Sequence, residues 1–211
     1  MRKRTAIKTA RSALFYAGAA ALCVGPLFVF VWMIMTGLKT GVQNITYPPE
    51  FLFTPTLEIF QAVFQQHHFF RYLMNSLIIA TLATGLSLVL GLPAAYSIAK
   101  YRQGRIGMII LLARMTPFVS YLLPWYIIFR YLKLIDTYTA LTLTHLIITL
   151  PMVAWLMVAF FESVPAELED AAMIDGCSRL KSFLIIVLPL VRNGIATSAV
   201  MASIFPWNQF L

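Results

Sequence analysis

Long unbroken runs of apolar residues alternate along this chain with short segments that hold nearly all of its charge. The apolar positions come in blocks and do not alternate singly with polar ones, so no half-buried strand pattern is present. Crossing a bilayer core takes about 20 apolar residues in a helix. Runs at about 13–36, 73–99, 108–129, 139–161 and 190–211 reach that length, which predicts five spans in an all-α polytopic transmembrane bundle. Pro117 and Pro124 interrupt the third run and Pro151 lies in the fourth. Neighbouring helices can satisfy the carbonyls that a proline frees, so these runs still qualify as spans. The first run exceeds the apolar core of a secretory signal, about 7–15 residues, and has no convincing cleavage site. It is predicted to be the first transmembrane helix.

Composition supports the same class. Apolar residues make up 60% of the 211 positions and charged residues 11%, against about 25% charged in an ordinary soluble domain. The net charge of +8 raises the question of nucleic acid. The basic residues lie between the apolar runs, however, which is the positive-inside pattern of a membrane protein, and no nucleic-acid partner is expected. Placing the N-terminus in the cytoplasm puts the tail 1–12, Lys100, Arg102, Arg105, Arg179, Lys181 and Arg192 inside. Lys39, Arg71, Arg130 and Lys133 then lie outside. That asymmetry predicts a cytoplasmic N-terminus, an extracytoplasmic segment at 37–72 and a cytoplasmic loop at 162–189.

The expected spans contain no Asp or Glu. Ion-coupled transporters place carboxylates there as relays, and an intramembrane enzyme needs an acid, a base or a metal, so neither class is indicated. Cys23 and Cys177 give no metal-ligand spacing and no disulfide framework, and His67 and His68 have no further ligand-type neighbours. His145, alone in the fourth run, fits a hydrogen-bonded residue between helices. Arg114, near the cytoplasmic end of the third run, can snorkel to headgroups or line a solute path. Tyr121, Trp125 and Tyr126 can stack on a sugar or belong to an interfacial aromatic belt.

The charged segment after the fourth run is where another protein could push. Ser163 can cap a helix, Pro165 suits a first turn, and Glu167, Glu169 and Asp170 complement the positive end of a helix. Gly176 is placed to end that helix. Residues 178–187 can form a second one, with Pro189 ahead of the last run. The small residues Ala171, Ala172 and Gly176 let such a projection sit deep in a partner's groove.

The run Glu169-Asp170-Ala171-Ala172-Met173-Ile174-Asp175-Gly176, followed by Ile186-Val187-Leu188-Pro189, resembles the EAA signature of binding-protein-dependent ABC importer permeases. That signature reads Glu-Ala-Ala, three residues, Gly, nine residues, Ile, one residue, Leu-Pro, and here Asp170 stands at the Glu position. Asn75-Ser76, Ala94-Ala95-Tyr96-Ser97, Leu134-Ile135-Asp136-Thr137, Pro151 to Trp155 and Trp207 to Leu211 are similar to the carbohydrate-uptake branch, which contains the smaller maltose permease subunit.

The resemblance covers residues 69–211 and implies a permease core there. It implies a loop docked to a cytoplasmic ATPase dimer through Glu169, Asp170, Ala171, Ala172, Asp175, Gly176, Ile186, Leu188 and Pro189. It further implies a second permease subunit, an extracytoplasmic solute-binding protein, a place in the bacterial inner membrane, and a sugar or related solute. Arg114, Tyr121, Trp125 and Asn208 are the expected solute-path residues. ATP would be bound by the partner, leaving this chain with no cofactor, no metal and no enzymatic role. Members of this type continue through an outer loop and a sixth helix, so five of six spans are expected. A truncated, non-transporting subunit and an ATP-independent channel or secondary transporter also fit the apolar pattern.

Overall fold

The computed structural model describes residues 2–66, 68–117 and 119–209, the side chains of 2–11, Ala13, Gln66 and Arg114 excepted. The described residues form helices and connecting turns without a strand. They divide into two compact units, Met1–Tyr72 and Leu73–Leu211. Among the described residues, three helices are long and apolar enough to cross a membrane, or four if one bent pair counts as a single span.

In the first unit, α1 (Arg2–Leu38) continues the expected first span back through the basic tail. No residue of its apolar window at Leu14–Leu38 is fully buried, and residues 35–38, at the end that α3 meets, are half-buried. Two short helices follow, α2 (Gly41–Ile45) and α3 (Glu58–Gln66). Thr40 opens α2 with a capping box, accepting from the Gln43 amide while the Gln43 side chain accepts from the Thr40 amide, so two of the free N–H groups at this end are satisfied. The Thr56 N–H donates to the Leu38 carbonyl at 2.8 Å, bringing the segment back to the end of α1. Lys39 is 2% exposed, with its ammonium 5.3 Å from the ring of Trp32 and 5.1 Å from that of Phe53. Aromatic faces attract a cation electrostatically, which accounts for a buried lysine with no carboxylate partner among the described residues.

The second unit is built on α4 (Phe69–Lys100) and α7 (Tyr138–Glu162), which occupy the second and fourth expected spans. Thr137 caps α7, its hydroxyl accepting from the Ala140 N–H at 3.2 Å. α7 is apolar around its whole circumference, as a central helix should be, and packs against α5 and α11. Helices in lipid gain little from the hydrophobic effect and associate through close packing and polar contacts. Gly91 of α4 accordingly lets Val153 approach, and Gly194 of α11 accepts the ring of Phe160. Ser87 and Thr149 share a buried hydroxyl–hydroxyl bond of 2.6 Å between α4 and α7. The core gathers Ala95, Val153, Met157, Phe161, Phe183, Val187, Val191 and Ala202.

Two expected spans are not straight helices. The third is two, α5 (Gly104–Met115) and α6 (Val119–Tyr131). A proline pushes its predecessor out of the helical region, and Thr116, before Pro117, sits at φ −67°, ψ 126°. Pro124, by contrast, is accommodated inside α6. The fifth run reaches α11 (Arg192–Asn208) only after a 79° bend from the Arg179–Leu190 segment. Phe210 and Leu211 lie outside the described residues.

Candidate functional site

The charged segment between α7 and α11 folds as the helix–turn–helix expected, with a different start. Ser163 does not cap the first helix: it closes α7, its Oγ donating to the Phe160 carbonyl at 2.7 Å. Pro165 takes the N-cap position at φ −60°, ψ 130° and offers no side-chain acceptor. Because Pro165 disfavours helical backbone at Val164, helix α8 starts only at Ala166 and ends at Ile174.

The end of α8 is set by Gly176, at φ +85°. The Gly176 N–H donates to the Met173 carbonyl at 3.1 Å and the Cys177 N–H to the Ala172 carbonyl at 3.0 Å, the paired bonds of a Schellman ending. A Cβ at Gly176 would meet nothing within 4 Å. Glycine is needed here for its backbone freedom and not for space. Ser178 then caps α9 (Arg179–Ser182), accepting from the Lys181 N–H at 3.3 Å. A π-helical stretch at Phe183–Val187 leads into α10 (Leu188–Leu190). Phe183 and Val187 are the buried residues of that stretch; Ile186 and Leu188 are half-buried and Pro189 is exposed.

α8 has two unlike faces. Glu167, Asp170, Ala171, Ile174 and Asp175 are exposed, Ile174 by 87%. Glu169 and Ala172 are buried. The resemblance implies a docking role for Glu169 with the rest of the loop, but in the structure its carboxylate is engaged within the chain. Its Oε1 accepts from the Lys100 ammonium and from the Tyr96 hydroxyl, and Lys100 also donates to the Tyr96 hydroxyl at 3.1 Å. Lys100–Glu169 is the one ion pair among the described residues. The Tyr96 ring packs on Phe183 at 4.7 Å and Phe161 at 5.7 Å, and Arg179 donates to the Tyr101 hydroxyl at 2.8 Å. Sequence reasoning missed Lys100 as a site residue, counting it only as a topological charge. Its spacing of four residues from Tyr96, which puts both on one face of α4, was the available signal.

Two cavities adjoin these elements. One, of about 1050 Å³, runs beside α8 and is lined by Tyr96, Lys100, Gly107, Trp155, Glu169 and Asp170 among others. The other, of about 770 Å³, lies between α4 and α11, where Thr81, Thr84, Ser203, Trp207 and Asn208 meet Leu77. The Thr84 hydroxyl is buried there without a hydrogen-bond partner among the described residues. Asn208 is the one expected solute-path residue in this groove. Tyr121 lies on α6 with its hydroxyl donating to the Ala113 carbonyl at 3.3 Å, and Trp125 stacks on Phe129 at 4.6 Å; neither lines either cavity. The Arg114 side chain is outside the described residues. His145 does sit between helices, 6.5 Å from the Phe205 ring of α11, but its Nδ1 has no hydrogen-bond partner among the described residues.

Comparison with known proteins adds an independent line. Residues 87–211 match the family described as "Binding-protein-dependent transport system inner membrane component". The chain is similar to the sulfoquinovosyl glycerol transport system permease protein of Agrobacterium fabrum, 36% identical over 206 residues, which cover 94% of this chain and 71% of that protein. It is also 32% identical over 210 residues to the trehalose/maltose transport system permease protein of Thermococcus litoralis, covering 94% and 73%. Its fold matches a solved bacterial ABC transporter involved in the import of the acidic polysaccharide alginate, with a TM-score of 0.77 and 23% identity. The match covers all of this chain and 74% of that one.

Proposed function

The chain belongs to the family of binding-protein-dependent transport system inner membrane components, and on that premise we propose that α8 is the coupling helix through which a cytoplasmic ATPase drives the import of a sugar or related solute. One observation carries this reading: a short helix stands apart from the apolar spans, tied to the bundle on its Glu169 face and bare on its Asp170 face. A projection anchored on one side and open on the other can receive a push and pass it on.

The rest of the assignment follows from this face. The excess of Lys and Arg beside α8 supports a cytoplasmic position for it and for the N-terminus. The segment at 37–72 then faces an extracytoplasmic solute-binding protein. A second permease subunit completes the membrane part, and an ATPase dimer binds the ATP, so the chain needs no cofactor of its own. The groove holding Thr81, Thr84, Ser203, Trp207 and Asn208 supplies hydroxyls, an amide and an aromatic face, the groups that recognise a hydroxylated solute, and it is the proposed part of the solute path. The names of the two relatives, one a sulfoquinovosyl glycerol and one a trehalose/maltose system, support a carbohydrate class.

Asp170→Lys tests the docking face. Reversing the exposed charge leaves the buried side of α8 intact, so the permease should still fold and insert. The expected result is loss of the co-purifying ATPase and of solute-stimulated ATP hydrolysis in vesicles. Normal retention of the ATPase together with normal stimulated hydrolysis would sink the coupling assignment.

A further inference from the structure

The Glu169 carboxylate receives both of its donors from a single helix. Tyr96 and Lys100 lie one turn apart on α4, while the chain joins α8 to α7 on one side and to α9 on the other. No covalent connection therefore obliges α8 to move with α4; this carboxylate does. α4 continues from Lys100 towards Thr84 and Thr81, whose side chains line the groove that also contains Asn208. Sixteen residues of helix separate Lys100 from Thr84, a stretch of about 24 Å.

We propose that Glu169 is a positioning residue that clamps the coupling helix to α4, so that displacement of α8 by its partner is delivered along α4 to the groove at Thr81, Thr84 and Asn208. The adjacent Asp170 serves docking alone. This inference rests on the coupling role argued above and divides that role between two neighbouring carboxylates.

The chemistry suits a clamp. Glu169 is 7% exposed, and pulling a mostly buried carboxylate away from its cation leaves its charge poorly compensated, which is costly. The phenol of Tyr96 shares the same oxygen and is wedged against Phe183, so its ring cannot swing away to follow a rival partner. The Lys100 ammonium also lies 5.5 Å from the Tyr96 ring centroid. By comparison, the Arg179–Tyr101 bond is exposed and water can replace it. The end of α4 and the inner face of α8 therefore move as one body.

The test uses the complex purified with its ATPase and binding protein and reconstituted into vesicles, with three readouts: ATPase retained, ATP hydrolysed, and solute taken up per ATP. Glu169→Gln keeps the shape and removes the charge, and Lys100→Met removes the cation. Both variants are expected to retain the ATPase and hydrolyse ATP, while solute per ATP falls about tenfold, within the usual range of coupling between sites. The reversed pair, Glu169→Lys with Lys100→Glu, is expected to regain most of the lost ratio. Asp170→Asn should instead lower the amount of ATPase retained and leave the ratio unchanged in the complexes that survive. An unchanged ratio in both single variants overturns the clamp, as does a loss of assembly and uptake in equal proportion, which is what a purely structural pair would give. Failure of the importer reading looks different: the wild-type complex would then take up no solute on addition of ATP.

Discussion

Replacing Gly194 by alanine tests the packing that fixes α11 against α7. A Cβ at this position would lie 2.5 Å from Cγ of Phe160 and 2.7 Å from both of its Cδ atoms. The nearest atom is the root of the ring, so rotating the ring in place gives no relief, and either the rotamer of Phe160 or the axis of α11 has to change. Overpacking of this kind costs about 1–3 kcal/mol. For chains of this size each kcal/mol shifts the melting temperature by about 2–4 °C, so Gly194→Ala should melt about 2–12 °C lower in detergent. The assay is thermal unfolding of the purified protein, run beside Gly85→Ala, where an added Cβ meets nothing within 4 Å. Gly85→Ala should be neutral or stabilising, because alanine is the better helix former by about 1 kcal/mol. In a Phe160→Ala background, which lacks Cγ and both Cδ atoms, Gly194→Ala should cost less than it does beside the native ring, since residues in contact couple by about 0.5–3 kcal/mol. A Gly194→Ala protein that melts with the wild type, or a loss just as large in the Phe160→Ala background, would refute the argument.

Two further outcomes are expected. Gly176→Leu forces a branched side chain to φ +85° at a cost of about 1–2 kcal/mol; it should loosen the end of α8 and lower ATPase retention, read by co-purification, while Gly176→Asn, which tolerates this backbone better, keeps most of it. In a cysteine-free background, Thr54→Cys should label from outside intact cells and Ser178→Cys only after permeabilisation; labelling of both from outside would reverse the orientation and remove α8 from the cytoplasm.

The long helices were legible because length and apolarity alone decide them. α4 and α7 are unbroken helices of 32 and 25 residues built around the apolar runs at 73–99 and 139–161. The break at Thr116 was half legible: Pro117 signals it, yet Pro124 carries the same signal and sits inside a helix, because the outcome depends on neighbours that sequence does not display. Gly176 was legible since few other residues suit the left-handed backbone of a helix end. Ser163 was misassigned because the proline two residues later overrules its capping chemistry. The roles of Glu169 and Asp170 were not separable by inspection: they are adjacent carboxylates, and which one turns inward depends on Lys100, 69 positions earlier in the chain. The structure does not gather the expected solute-path residues in one place, for a related reason. Aromatics at 121 and 125 fit a sugar chemically, but α6 holds them outside the groove where Asn208 sits.

The 79° corner between the Arg179–Leu190 segment and α11 makes the region a bell crank. Val191, at the corner, is 4% exposed and belongs to the packed core, so it is a fulcrum held by its surroundings. Two arms set nearly at right angles about a fixed pivot turn together: a sideways stroke at the tip of one becomes a sideways stroke at the tip of the other, in a direction turned by the same angle. A sideways displacement of the Arg179 end would thus be turned into a tilt of the helix that bears Ser203, Trp207 and Asn208.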